Sequence, residues 1–216
     1  MKTAQCLILA AFSCITLGGC GNGRERTLRV EDAITGRPIS PICVVVEDTS
    51  ETKIMFWTGM SSSGVSMHTR VLTFQTSETK LPPAAINGIP LFIGIGFTQR
   101  VSSTNYQIVA GGYEIGDPRN TNDGGVLKLR PLTATDVSFD REDISNTVIM
   151  RDDLPGMSGD KTQLVRMLRS NFGIILDRFR AEMPAETAGV GIGHLLRQID
   201  WLDRHPNGEF GQDERP

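Results

Sequence analysis

The sequence predicts a mainly β chain with added α structure: an antiparallel β-sandwich followed by a C-terminal helical hairpin. Three observations predict it. Between residues 27 and 135, short β-branched and aromatic runs alternate with clusters of Gly, Pro, Asn and Asp, with no helical periodicity among them. From 158 to 206 the apolar residues instead recur at three- and four-residue intervals, in two stretches separated by Pro184. The first nineteen residues follow neither pattern, being apolar with Lys2 as their only charge.

That leading stretch is read first. After Lys2 comes an uncharged apolar run, Cys6 to Leu17, and then Gly18-Gly19-Cys20. A small positive region, an apolar core and small residues before a cut make the layout of a secretory signal. The run is too short to span a bilayer comfortably, and no stop-transfer pattern follows it. Leu17-Gly18-Gly19-Cys20 resembles the lipobox of bacterial lipoproteins. The resemblance implies cleavage between Gly19 and Cys20 and lipidation of Cys20, which would tie the chain to a membrane through its lipid. One acyl chain holds a protein only marginally and two or more hold it stably; the family's modified cysteine carries several. Gly21 follows the cysteine, without the Asp that retains such proteins in the inner membrane. In a host with two membranes the expected home is therefore the outer one, facing the periplasm. The alternatives are an ordinary cleaved signal with an incidental Cys20, and an uncleaved anchor helix.

Residues 20–26 are polar and glycine-rich and read as a tether. Thr27 to Asp32 is a short strand closed by the turn signal Thr35-Gly36-Arg37-Pro38. Pro41 to Glu47 is apolar on both faces, as a strand covered on both sides would be. Arg70 to Gln75 is β-branched and aromatic. Leu91, Ile93, Ile95 and Phe97 alternate with Phe92, Gly94, Gly96 and Thr98 and read as one strand. Tyr106 to Ala110 and Val126 to Leu132 complete the set, separated by the Gly/Asp/Asn-rich loop 116–125. The segments Thr49-Ser50-Glu51-Thr52-Lys53 and Thr76-Ser77-Glu78-Thr79-Lys80 are identical and read as two exposed turns.

The opening from Leu28 to Ile39 places an Asp (Asp32) at the end of a strand and then Thr35-Gly36-Arg37-Pro38. It resembles the first strand and turn of transthyretin-like, carboxypeptidase-regulatory-like sandwiches. Gly112-Tyr113 is similar to the Gly-Tyr that ends a later strand of such modules. The resemblance covers about half of the chain after the signal. It implies a binding or spacing element, with no catalytic residues to carry over.

Residues 136–157 form a connector, with a short strand expected at Thr147 to Met150. Asp160 or Ser158 can cap the helix that follows. Leu164, Val165, Leu168, Phe172, Ile175, Leu176 and Phe179 mark its apolar face, from Asp160 to Met183. Ile192, Leu195, Leu196, Ile199 and Leu202 mark a second helix, preceded by Gly189, Gly191 and Gly193 and ended near His205-Pro206-Asn207-Gly208. The tail 207–216 is polar and expected to be disordered.

The composition narrows function mainly by exclusion. With 22 basic and 25 acidic residues and a net charge of −3, nothing points to nucleic acid as a partner. Of four cysteines, Cys6 and Cys14 lie in the signal and Cys20 at the lipobox, leaving Cys43 as a buried small hydrophobe in a strand. Ser158-Gly159-Asp160-Lys161 matches the Ser-x-x-Lys of penicillin-recognising enzymes. Ser50/Lys53 and Ser77/Lys80 match it too, and no Ser-Asp-Asn or Lys-Thr-Gly partner exists, so helix capping is the better reading. His68, His194 and His205 lack zinc-ligand spacing. Asp152-Asp153 and Asp117/Asp123 lack calcium-loop spacing. No metal or cofactor is therefore expected. Arg166, Arg169, Arg178 and Arg180 make the first helix basic, diluted by Asp177 and Glu182. Trp201 flanks the second stripe, where it packs on the first helix or anchors a partner.

The sequence thus points to a lipid-anchored protein of the bacterial cell envelope, binding or accessory in type and not catalytic, with a protein partner in the envelope. The alternatives are an envelope hydrolase acting on cell-wall or carbohydrate substrate through Ser158/Lys161 or loop carboxylates, and a scaffold oligomerising through its C-terminal helices.

Overall fold

The structure, a computed structural model, describes residues 26–56, 59–83, 91–93, 96–121, 125–134, 151–182 and 185–209. The signal, Gly19, Cys20 and the strand expected at Thr147 to Met150 lie outside them. The chain is mainly β, with strands β1 (Arg26–Asp32), β2 (Ile42–Phe56), β3 (Gly59–Phe74), β4 (Glu78–Leu81), β5 (Leu91–Ile93), β6 (Gly96–Val109), β7 (Val126–Leu129) and β8 (Met157–Ser158). Two helices follow, α1 (Thr162–Glu182) and α2 (Ala185–Arg204). One sheet has the order β4-β1-β7 and the other β5-β6-β2-β3-β8. The chain divides into two compact units. One comprises Arg26–Asp48, Met67–Leu81 and Thr104–Pro216; the other includes Thr49–Ser66 and Pro82–Ser103.

The first unit is sandwich-like, and β2 explains why. Successive strand residues point to opposite faces of a sheet. Ile42, Val44 and Val46 enter a core with Leu28 and Val30 of β1, Leu81 of β4, and Leu127 and Leu129 of β7. Cys43 and Val45 enter a different core with Val71, Val109, Leu164, Phe172, Ile175 and Leu195. Within this unit the sheet containing β2 therefore has the small sheet on one face and the helices on the other. The expected burial of Pro41 to Glu47 on both sides is met: Ile42, Cys43, Val44 and Val46 are fully buried.

The sheets are mixed, which corrects the antiparallel expectation. β1 pairs antiparallel with β4 but parallel with β7, from Arg29↔Val126 to Asp32↔Leu129. β3 pairs parallel with β8 through Thr69↔Met157. Parallel neighbours cannot be joined by a hairpin. Here the chain leaves β1 and builds β2 to β6 before β7 returns beside it.

Three further expectations change. Thr49 to Lys53 is not a turn but the middle of β2, while its twin runs from a bend into β4. Leu91 to Thr98 is not one strand: β5 pairs antiparallel with the start of β6, Leu91↔Thr98, Phe92↔Phe97 and Ile93↔Gly96. Gly189, Gly191 and Gly193 do not precede α2 but lie inside it. At Gly191 a Cβ would stand 2.8 Å from the Phe179 ring, so the missing side chain lets α2 approach α1 closely.

α1 starts where Asp160 caps it, the Thr162 amide donating to Asp160 Oδ1 at 2.9 Å. Its apolar face is buried as expected, from Leu164 through Leu168 and Phe172 to Phe179. α1 and α2 share one core, and Arg169 Nε donates to Asp203 Oδ1 at 2.8 Å. Gly208 is buried beside Val165 and Lys161, so the start of the tail folds back on α1.

Candidate functional site

A cleft of about 330 Å³ opens in the first unit, between the β1–β2 connection, the turn after β6 and the first half of α1. Pro38, Ile39, Ser40 and Pro41 line one side, Gly111 and Tyr113 the back, and Gln163, Arg166, Met167 and Ser170 the helix side. Each wall is fixed by a polar device.

Asp32 organises the β1–β2 connection. Its Oδ1 accepts from the Ile34 and Thr35 amides at 2.8 and 2.7 Å, an Asx-type turn that reverses the chain. Its Oδ2 accepts from the Tyr113 hydroxyl at 2.9 Å, fixing the turn to the back wall. The Thr35 amide above all, with the Ile34 amide and the Tyr113 hydroxyl, holds the Asp32 carboxyl below its usual range against the opposing effect of burial. The Tyr113 phenol is pushed up, by burial first and by its bond to the carboxylate second.

Asn171 fixes the back wall to α1. It is fully buried in the helix stripe. Its Oδ1 accepts from the Gly112 amide at 2.6 Å, and its Nδ2 donates to the carbonyls of Ala110 and Tyr113 at 3.2 Å each. Gly112 sits at φ 87°, a left-handed conformation that a side chain would strain, so glycine suits this bend.

The helix side supplies the charge. Of the four arginines of α1, three are spoken for. Arg169 meets Asp203 at 2.8 Å and Arg180 meets Asp177 at 3.9 Å. Arg178 binds Glu182 and also donates to the carbonyls of Leu132 and Ala134. The basic face expected from the sequence is thus largely neutralised. Arg166 is exposed, and among the described residues no carboxylate lies within ion-pair distance of it. Asp160 is near enough for Arg166 to help lower its carboxyl, after the larger effects of the Thr162 amide and hydroxyl.

The other candidates stand apart from the cleft chemistry. Ser158 sits in β8 and not on a helical turn, its Oγ donating to the Thr69 carbonyl at 3.2 Å. Lys161 is buried, its Nζ donating to the Met157 carbonyl at 3.0 Å and lying 3.6 Å from Glu209. The capping expected of Ser158 or Asp160 falls to Asp160, and the hydroxyl and amine have separate partners. Trp201 is buried. It is only 4 % exposed and stacks on the His205 ring with centroids 4.3 Å apart, so its indole packs inside the protein.

His68 is exposed, His194 is within 3.4 Å of Gln198 Nε2, and His205 Nδ1 is 2.7 Å from the Trp201 carbonyl. Asp117 is taken up by Arg119, whose side chain is the first cause of its lowered carboxyl; Asp123 lies outside the described residues. Among the described residues no group of three or more His, Cys, Asp or Glu is placed to hold a metal. Cys43 is buried, its thiol pushed up to about 11 chiefly by burial.

Asn171 and the Asp32–Tyr113 link are what sequence reasoning missed. For Asn171 a signal was present: a polar residue at the apolar spacing of Leu168 and Ile175 must find partners or destabilise the fold. Comparison with known proteins yields no match: no family model, no curated protein and no solved structure is significantly similar to the chain.

Proposed function

We propose that the chain is a lipid-anchored protein of the bacterial cell envelope, tethered through Cys20 and binding or accessory in type, with no catalysis of its own. In this reading residues 27–135 carry a transthyretin-like sandwich, and α1 and α2 form an antiparallel helical hairpin after it. The envelope address is the outer membrane, facing the periplasm. The observation that carries the binding role is the cleft, whose walls are held by Asp32, Tyr113 and Asn171 while Arg166 is left available. The transthyretin-like assignment is supported by the Asp32–Tyr113 hydrogen bond, which joins the two sequence pieces that carried the resemblance. The hairpin is supported by pairs that run in opposite senses, Arg169 with Asp203 and Phe179 with Gly191.

Two observations favour this reading over its rivals. Ser158 and Lys161 each hydrogen-bond a backbone carbonyl and not one another, whereas a nucleophile and its base must meet. The apolar stripes of α1 and α2 are occupied within the chain, so an oligomer built on them would have to expose this core.

Labelling cells with radioactive palmitate tests the tether. Label is expected on the wild-type protein and none on Cys20→Ala, which moves to the soluble periplasmic fraction with an unchanged melting temperature. An unlabelled wild-type protein overturns the proposal.

A further inference from the structure

We infer that the cleft beside α1 binds the free C-terminal carboxylate of a peptide, with Arg166 as its counter-ion and Ile39 and Met167 as the floor beneath the last side chain. This rests on the binding reading above and names its ligand class.

The inference starts from the mixture of surfaces. Ile39 and Met167 are 7 % and 4 % exposed, and together with Pro38 and Pro41 they give the cleft an apolar lining. The Ser40 hydroxyl stands on the opposite wall and the Tyr113 hydroxyl is spent on Asp32, while the charge and most polar groups lie on the helix side, where Gln163, Arg166 and Ser170 are three and four residues apart and share one face. The Asp32 carboxylate of the neighbouring turn keeps its charge but is engaged by two amides and a phenol, and it makes no ion pair with Arg166. Asp160, the nearby acid, is committed to capping α1.

The cleft therefore offers one cation, with an amide and the hydroxyls of Ser40 and Ser170, above an apolar floor, in a chain whose net charge is −3. A guanidinium matches a carboxylate with two parallel hydrogen bonds, a geometry an isolated hydroxyl or carbonyl cannot use. At about 330 Å³ the space is at the small end of ligand sites, so it suits the end of a chain better than a segment running through. A terminal carboxylate following a small apolar residue satisfies both parts.

The test uses the soluble Cys20→Ala protein and three probes read by calorimetry: acetyl-Ala-Leu-Ala as the free acid, its C-terminal amide, and acetyl-Ala-Asp-Ala amide. The free acid is expected to bind about tenfold or more tighter than the amide, the range of a charge-assisted hydrogen bond. Arg166→Gln should remove that preference, Arg166→Lys should keep part of it, and the melting temperatures of both should match the parent. The preference should also shrink with added salt, since Arg166 is exposed. Equal binding of acid and amide, retention of the preference in Arg166→Gln, binding of the internal-Asp amide as tight as the free acid, or no heat with any probe overturns the inference. Palmitate labelling is unaffected by any of these results, so failure here and failure of the tethered reading are separable.

Discussion

Strands β2, β3 and β6 each belong to both compact units, yet the two units are built differently. In the first, Ile42 to Val46 are all buried, and so are Val71, Ile108 and Val109 of the neighbouring strands. In the second, Thr49 to Ile54 and Phe97 to Ser103 are all half-buried or exposed, and Phe56, Val65 and Leu91 are exposed. There the side chains make polar links across the sheet, such as Arg100 Nε to Ser50 Oγ at 2.5 Å. Hydrogen-bonded pairing is thus common to both, while the run of fully buried apolar residues along β2 lies in one. Backbone pairing contributes little net free energy, since water offers the same bonds to the unfolded chain; apolar burial contributes most of it. The first unit is therefore expected to hold the stability of the molecule, and the second to be strand held in register by its neighbours.

The largest effect should come from placing one substitution at two points of the same strand. Val44→Lys puts an ammonium in a fully buried apolar site and should cost more than about 4 kcal/mol, enough to prevent folding. Thr52→Lys, on an exposed position of β2, should change stability by no more than about 0.5 kcal/mol. Urea titration followed by circular dichroism reads both. Similar losses at the two positions would mean that the units share one core after all.

Hydrogen exchange sharpens the same contrast without a mutation. Amides of residues 42–46 and 108–109 should exchange only through global unfolding, and those of 50–54 and 98–102 through local opening at far lower cost. Mass spectrometry of peptic peptides would resolve the two classes. A single exchange rate across the whole of β2 would contradict the division.

How much of this was legible beforehand depends on which force acts at each element. Pro41 to Glu47 could be read because five successive apolar residues leave no face for water. The remainder of β2 could not, since Thr-Ser-Glu-Thr-Lys has the composition of a turn, and only flanking strands make it extended. The pairing at Leu91 was hidden for another reason: the alternation runs on from β5 into β6, so one strand over Leu91 to Thr98 and the ends of two paired strands look alike. Helical periodicity revealed both helices, but three glycines that read as a preamble to α2 lie inside it, and at Gly191 the missing Cβ is what lets the Phe179 ring approach. The cleft was half legible. Asp32 and Tyr113 stood out as pieces of a resemblance, but nothing in the sequence states that residues 81 positions apart share a hydrogen bond.

Within the first unit the polar clamp of the cleft comes next in size. Asn171→Leu keeps the volume and the apolar stripe but leaves the Gly112 amide and the carbonyls of Ala110 and Tyr113 without their buried partner. The expected loss is about 2–3 kcal/mol, because an unsatisfied buried group bears its full desolvation cost. A neutral or stabilising result, measured by thermal unfolding, would show that water replaces the amide and that the back wall of the cleft is not held by α1.

The smallest effect is the most specific to the site, and it is a pH dependence. The Asp32 carboxyl is lowered in the folded protein, first by the Thr35 amide and then by the Ile34 amide and the Tyr113 hydroxyl. A carboxyl lowered by folding binds fewer protons in the native state than in the unfolded one. Its contribution is fully present above the ordinary carboxylate range and is lost as the pH falls through the lowered value. Tyr113→Phe removes one of its donors, so the Asp32 carboxyl should move part of the way back up while the Thr35 and Ile34 amides keep it below normal. The variant should therefore lose a constant amount of stability near neutrality, and the gap to the wild type should close as the solution is acidified. Thermal melts at successive pH values below 5 would measure it. A gap that stays constant into acid would mean that the hydroxyl packs against the turn without favouring the ionised carboxylate, and the link between the two halves of the cleft would then be one of shape alone.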